Sequence, residues 1–127
     1  MRSVLSALLT LSLAPASALA DRTLNTEKSA VIDCAKDPGV VINVADGTYT
    51  LTGPCDRVSV NGAGNKLTIA SVGKLAINGS KNSVDVDAVD KIAVNGTHNT
   101  IHYKRGVTTK APKVMSTGAN NKLNQVK

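Results

Sequence analysis

A 17-residue repeat in the middle of the chain restricts the fold more than any other feature of the sequence. Three stretches align without gaps: VSVNGAGNKLTIA from Val58, LAINGSKNSVDVD from Leu75 and IAVNGTHNTIHYK from Ile92. Repeats of this kind are typical of solenoids, in which one unit cannot bury its apolar face alone and stacks on its neighbours.

The turn residues of the repeat occupy equivalent positions in all three copies. Glycine and asparagine both accept the backbone conformations that a tight corner requires. If the copies stack, the second asparagine of each copy lies about 4.8 Å from the next, and an amide ladder forms. The predicted structural turn ladder consists of Asn61, Asn78, Asn95, Gly62, Gly79, Gly96, Asn65, Asn82 and Asn99.

Apolar residues alternate with polar or small ones on both sides of each turn, which predicts two short β-strands per copy. We therefore expect an all-β fold, a short β-solenoid of either hand with 17-residue coils. The coils lie near 58–74, 75–91 and 92–108, with a degenerate copy at 114–126 after a five-residue insertion. The alternative is an antiparallel β-meander, in which each copy is a hairpin.

The two folds differ in the residues that they bring together. Stacked coils place Asp85 beside His102 and Asp87 beside Lys104, as opposite charges when the histidine is protonated. Stacking also sets two lysines of neighbouring copies side by side, which counts slightly against it. The recurrence of residue identity at the corners favours the solenoid.

The first twenty residues have the pattern of a secretory signal peptide. Arg2 precedes the apolar stretch VLSALLTLSLA, and PASALA follows it with small Ala18 and Ala20 before the cleavage point. The apolar run is shorter than the ~20 residues of a membrane-spanning helix, and no second run follows. We expect an exported protein, periplasmic or extracellular, without a transmembrane segment.

Export would place the two cysteines in an oxidising compartment, where disulfides persist. We predict a bridge between Cys34 and Cys55, which closes a loop of about twenty residues and contributes on the order of 3 kcal/mol. The expected organisation after the signal peptide is a flexible polar segment at 21–33 and a single β-repeat domain at 34–127. The disulfide would pin an N-terminal cap on that domain.

The chain is basic, with 15 Lys and Arg against 9 Asp and Glu. Loss of Arg2 with the signal peptide would leave 14 against 9, a net charge of +5. Such a surface attracts polyanions in general, although solubility alone also accounts for it. The candidate polyanion-binding residues are Lys66, Lys81, Lys104 and Arg105. We do not expect nucleic acid as the partner, because export removes it and the chain lacks Trp and Phe for stacking.

The sequence offers no set of side chains typical of an enzyme. Asp85, Asp87 and Asp90 could supply oxygen ligands to Ca²⁺, but the glycine-rich nonapeptide of calcium-binding solenoids is absent. His98 and His102 have no third zinc ligand at a recognisable spacing. We therefore expect no catalytic residues, no metal site and no cofactor.

With these residues in view, the chain resembles the bacterial family called domain of unknown function 3060, which contains small exported proteins and lipoproteins. The resemblance covers roughly Cys34 to Val126. It rests on the GPC step at Gly53 to Cys55, the Val-x-Val-Asn-Gly-x-x-Asn copies and the late TGANNKL. It implies no agreed activity and no catalytic residues. No lipid-attachment cysteine follows the predicted cleavage point, unlike in the lipoprotein members.

Two functional hypotheses follow from these observations. The first is a non-catalytic binding module for an anionic polymer of the cell envelope or the extracellular medium. The alternative is a structural or assembly protein of the envelope that acts through protein–protein contacts, with a protein partner that the sequence does not identify.

Overall fold

The structure, a computed structural model, describes residues 21–108 and 110–126. It is all-β and forms a parallel β-solenoid of about five turns with coils of about 18 residues. The predicted signal peptide, residues 1–20, lies outside the described residues. The strands are β1 Arg22–Leu24, β2 Ser29–Asp33, β3 Gly39–Ile42, β4 Thr48–Ala63, β5 Lys66–Ser80, β6 Ser83–Thr97, β7 Thr100–Arg105, β8 Lys113–Ala119 and β9 Lys122–Gln125.

Every strand pairing among the described residues is parallel and joins one coil to another. Strands β4, β5 and β6 are long and contribute to two sheets. Their second halves, with β1, β3 and β8, form what we call the front sheet. Their first halves, with β2, β7 and β9, form the back sheet. The solenoid is confirmed and the meander is wrong, because hairpins require antiparallel pairs.

The step from coil to coil varies along the chain. Val58 pairs with Leu75 and Leu75 with Ile92, which is the predicted step of 17. One coil earlier, Val40 pairs with Val58 at a step of 18. The last step, from Ile92 to Val114, is 22, and the chain between β7 and β8 takes up the extra residues.

The N-terminal region differs from the expectation of a flexible segment at 21–33 followed by a cap. Strands β1 and β2 lie in this segment, and Leu24 pairs with Ile42, which pairs with Val60. The region is therefore an ordinary part of the solenoid. The apolar alternation and the first asparagine of the corner recur here, in Leu24-Asn25 and Ile42-Asn43. They recur at a step of 18 and without the following glycine, so the 17-residue repeat does not reveal this region.

The core lies between the two sheets and is built from alternate residues of each strand. Leu75, Ile77 and Ile92 from the front sheet are almost completely buried, as are their counterparts in the back sheet. A third buried column closes the far edge, where Cys55 pairs with Val72. The predicted disulfide is confirmed, since Cys34 is bonded to Cys55 at the N-terminal end of this column. The described residues include no helix that is long and apolar enough to cross a membrane.

The corner between the sheets is held by what we call the inner asparagine ladder. Its four side chains are Asn65, Asn82, Asn99 and Asn121, of which the first three are buried. The Asn82 side chain is typical: its Oδ1 accepts the Asn65 backbone N–H at 3.0 Å, and its Nδ2 donates to the Gly62 carbonyl at 3.0 Å. The ladder thus satisfies buried backbone groups where the sheet hydrogen bonds are interrupted.

The corner glycines are required by close approach between coils. A Cβ atom on Gly79 would lie 1.8 Å from the Gly62 carbonyl oxygen, and one on Gly96 would lie 1.8 Å from that of Gly79. No side chain fits at these distances. The recurring Asn-Gly pair is therefore explained by the stacking of the scaffold.

Candidate functional site

Four basic side chains form a column on the outer surface of the front sheet. Arg57 pairs with Lys74, Lys74 with Lys91, and Lys91 with Lys113, so they occupy one position in four successive coils. All four are exposed. Parallel strands lie about 4.8 Å apart, so the four charges repeat at about that spacing along the solenoid axis. We call this column the basic ladder.

The first member of the basic ladder is neutralised and the other three are not. Arg57 forms an ion pair with Asp21, and this hydrogen bond raises the pKa of the Arg57 guanidinium. Within the part of the chain that the structure describes, Lys74, Lys91 and Lys113 have no ion pair. The basic ladder therefore presents three ammonium groups in a row that form no ion pair, although the charge of Lys91 contributes to the lowered pKa of neighbouring Asp90.

A second ladder runs parallel to the first on the same face. The outer asparagine ladder consists of Asn25, Asn43, Asn61, Asn78 and Asn95, all exposed. The Asn61 Nδ2 donates to the Asn43 Oδ1 at 3.0 Å, and the Asn78 Nδ2 donates to the Asn61 Oδ1 at 3.2 Å. Every second residue of a strand faces outward, and the two ladders occupy outward positions four residues apart. This separation corresponds to about 13 Å along the strand.

Two shallow grooves lie between the ladders. One of about 160 Å³ is lined by the three lysines of the basic ladder together with Ala93 and Met115. The other, about 190 Å³, extends over Ala76 and Ala93 to Asn78 and Asn95. Met115 lines both grooves and is 59% exposed. The front sheet thus offers a continuous surface with cations at one side and amides at the other.

The charge of the C-terminal coils adds to the basic ladder. The last acidic residue of the chain is Asp90, and every charged residue after it is basic. These seven cations are Lys91, Lys104, Arg105, Lys110, Lys113, Lys122 and Lys127. Acidic residues are concentrated at the other end, among the coils before 60, so the potential becomes more positive towards β8 and β9.

The four polyanion candidates from the sequence do not lie on one column. Lys66 starts β5 in the back sheet, between Thr48 and Ser83 of the neighbouring coils. Lys81 lies at the corner that follows β5, with φ of 58°. Lys104 and Arg105 end β7. The sequence-based candidates therefore do not include the basic ladder, although the sequence carries one signal of it, since Lys74 and Lys91 occupy equivalent positions 17 residues apart.

The outer surface of the back sheet carries a mixture of charges. Asp85 pairs with His102, as stacking predicts. Asp87, however, forms its ion pair with Arg105 at 3.4 Å. A groove of about 260 Å³ is lined by Asp85, Asp87 and His102 together with Lys104. Acidic and basic side chains lie side by side here, so this surface lacks a row of like charges such as the basic ladder.

Asp90 has a structural role in the loop that follows β7. Its Oδ1 accepts the backbone N–H of Thr108 at 2.9 Å and that of Val107 at 2.7 Å. The hydrogen bond from Thr108 is the main reason that the pKa of Asp90 lies below its ordinary value. Across residues 21–108 and 110–126, no group of three or more His, Cys, Asp or Glu side chains is arranged to hold a metal ion.

Comparison with known families supports the resemblance seen in the sequence. Residues 71–120 match the family described as protein of unknown function (DUF3060). The DUF3060 match runs from within β5 to the end of β8, and it includes Lys74, Lys91 and Lys113 of the basic ladder. The family description assigns no activity. Neither curated proteins nor solved structures give a match to the chain.

Proposed function

We propose that the protein is a non-catalytic binding module for an anionic polymer of the cell envelope or the extracellular medium. The basic ladder is the observation that carries this proposal. Like charges at neighbouring positions of exposed strands are destabilising, and nothing in the scaffold requires lysine at an exposed position. An anionic polymer bound across the three lysines would neutralise their charges, and relief of the repulsion would add to the binding free energy.

The test is co-sedimentation of the purified protein with cell-wall and outer-membrane fractions at low and high salt. We expect binding that weakens with salt, because exposed charges are screened within about a Debye length of 8–10 Å at ordinary ionic strength. Absence of binding at low salt would overturn the proposal. The charge would then act only in solubility.

Three triple variants of equal charge locate the site. Lys74→Gln/Lys91→Gln/Lys113→Gln removes the free part of the basic ladder and should abolish binding. The matched control is a triple Lys→Gln change at three lysines away from the front-sheet ladder, and it should retain binding. A third triple removes three of the sequence-based candidates. The control variant changes Lys28, Lys36 and Lys122. The third variant changes Lys66, Lys81 and Lys104.

The proposal includes export and the absence of catalysis. N-terminal sequencing of the protein recovered from its host should begin at Asp21 if the signal peptide is cleaved as proposed. Turnover by the metal-free protein that is lost on Asp85→Asn/Asp87→Asn substitution would contradict the non-catalytic assignment.

A structural or assembly role is the second candidate function, and the C-terminal coil favours it. Among the described strands, β8 pairs only with β6 and β9 only with β7, so each has a free edge. Val114 and Met115 on β8 are 37% and 59% exposed. Free strand edges can pair with another chain. A mass in light scattering that stays monomeric at all concentrations would exclude self-assembly.

A further inference from the structure

We infer that the ligand of the front sheet is an acidic polysaccharide that lies along the solenoid axis, across the strands. This inference rests on the proposed function and specifies the polymer class and its orientation. It combines two ladders on one face, one able to bind carboxylate or sulfate groups and one able to bind hydroxyl groups.

The orientation follows from the geometry of the basic ladder. A polymer that runs along the axis meets Lys74, Lys91 and Lys113 in succession, because they lie on successive coils. A polymer that runs along a strand meets one lysine of the ladder only. The axial path from Arg57 to Lys113 crosses three strand spacings, about 14 Å. Only the axial path uses the repetition of charge.

The outer asparagine ladder adds capacity to recognise hydroxyl groups. An asparagine side chain has two N–H donors and a carbonyl oxygen with two lone pairs. Asn78 donates one N–H to Asn61, which leaves one donor for a ligand. Asn95 accepts a hydrogen bond from Thr117, and its Nδ2 has no partner among the described residues. A row of paired donors and acceptors matches hydroxyl groups, which both donate and accept.

Other polyanions use this face less completely. A phosphate chain offers acceptors only, so it could use the free N–H donors of the outer asparagine ladder but could donate nothing to its carbonyl oxygens. A nucleic acid would need aromatic platforms for its bases, but the Tyr49 side chain is buried in the core and Tyr103 packs against it. The grooves over Ala76 and Ala93 leave room for sugar rings between the two ladders, and Met115 supplies an adaptable apolar contact.

The experiment compares polygalacturonate with polyphosphate of matched charge number, titrated into the purified protein over a series of salt concentrations. We expect tighter binding of polygalacturonate. With three lysine contacts, the logarithm of its binding constant should fall with the logarithm of salt concentration with a slope of about 2 to 3. Lys91→Gln, which removes one contact and leaves two, should lower the slope by about one.

Asn78→Val/Asn95→Val tests recognition of hydroxyl groups. Valine suits an exposed strand position, so the fold should be kept, and thermal unfolding checks this. We expect polygalacturonate to bind about tenfold more weakly, as for the loss of one or two hydrogen bonds, and polyphosphate to be unaffected. Ala93→Gln, which fills the grooves without changing charge, provides a second test and should also weaken binding of polygalacturonate selectively.

The possible results distinguish failure of the polysaccharide assignment from failure of the proposed function. A salt slope near one would contradict the axial orientation. Equal affinity for the two polymers, unchanged by the asparagine and Ala93 variants, would overturn the assignment to polysaccharide and leave the polyanion module in place. Failure of both polymers to bind at low salt would overturn the inference and the proposed function together.

Discussion

The inner asparagine ladder makes a quantitative prediction about stability. Asn82 is 1% exposed, and its side chain binds the Asn65 N–H and the Gly62 carbonyl at 3.0 Å each. Asn82→Ala leaves the Asn65 N–H without this acceptor and removes the hydrogen bond to the Gly62 carbonyl. An unsatisfied buried group costs about 1–3 kcal/mol, and the corner is only partly shielded, so we expect a loss of about 3 kcal/mol in the free energy of unfolding. The melting temperature should fall by roughly 15 °C.

Urea unfolding of Asn82→Ala beside Asn78→Ala provides the assay and its matched control. Asn78 is the same residue type in the outer ladder of the same coil, but it is exposed and donates one hydrogen bond, to Asn61. We expect Asn78→Ala to lose less than about 1 kcal/mol, because water replaces the partner. The midpoints should differ at an unchanged m-value. Equal losses for the two variants would refute the argument that burial makes the inner ladder essential.

Three further perturbations probe other parts of the scaffold. Gly79→Ala places a Cβ 1.8 Å from the Gly62 carbonyl oxygen, so we expect a loss of about 2 kcal/mol or more in urea unfolding, and a wild-type midpoint would contradict the close approach. Reduction of the Cys34–Cys55 bond, 21 residues apart, should lower the free energy of unfolding by about 3 kcal/mol, and coincident curves with and without reductant would argue against this. Because the folded pKa of Asp90 is lowered, its contribution is present above its unfolded pKa and lost as pH falls through the folded pKa. Asp90→Asn should therefore flatten the acid side of the pH–stability curve, and an unchanged acid slope would exclude this role.

The parts of the fold that the sequence predicted are those in which position and residue type recur together. Asn65, Asn82 and Asn99 recur because each serves buried backbone groups in one corner, and Gly79 and Gly96 because no side chain fits between coils. These requirements recur at each contact between two coils that are 17 residues apart. The alignment of the copies therefore gave the strand positions, the corner and the parallel stacking.

The parts that the sequence did not predict depend on register between coils of different length. Leu24 and Ile42 belong to the core column of Val60, but their step is 18 and the Asn-Gly pair of the repeat does not follow them. Membership of Lys113 in the basic ladder depends on a step of 22. Such relations appear only when strand pairing is known, so exposed columns that cross coils are less visible in the sequence than the core.

The like charges of the basic ladder should measurably lower the free energy of unfolding of the protein without ligand. Lys91 lies between Lys74 and Lys113, about 4.8 Å away on each side, whereas Lys66 lies between two uncharged residues. Cross-strand pairs of this kind are worth a few tenths of a kcal/mol. Lys91→Gln should therefore raise the free energy of unfolding by about 0.5 kcal/mol at low salt, and Lys66→Gln should leave it unchanged. High salt should remove the difference, because these charges are exposed.

The same Lys91→Gln change should weaken binding of polygalacturonate, which would reveal the exchange of stability for function expected at a binding site. If the basic ladder serves only solubility, Lys91→Gln would raise the free energy of unfolding without weakening the binding of polygalacturonate. Equal stability of Lys91→Gln and Lys66→Gln would mean that the repulsion is already screened in the free protein.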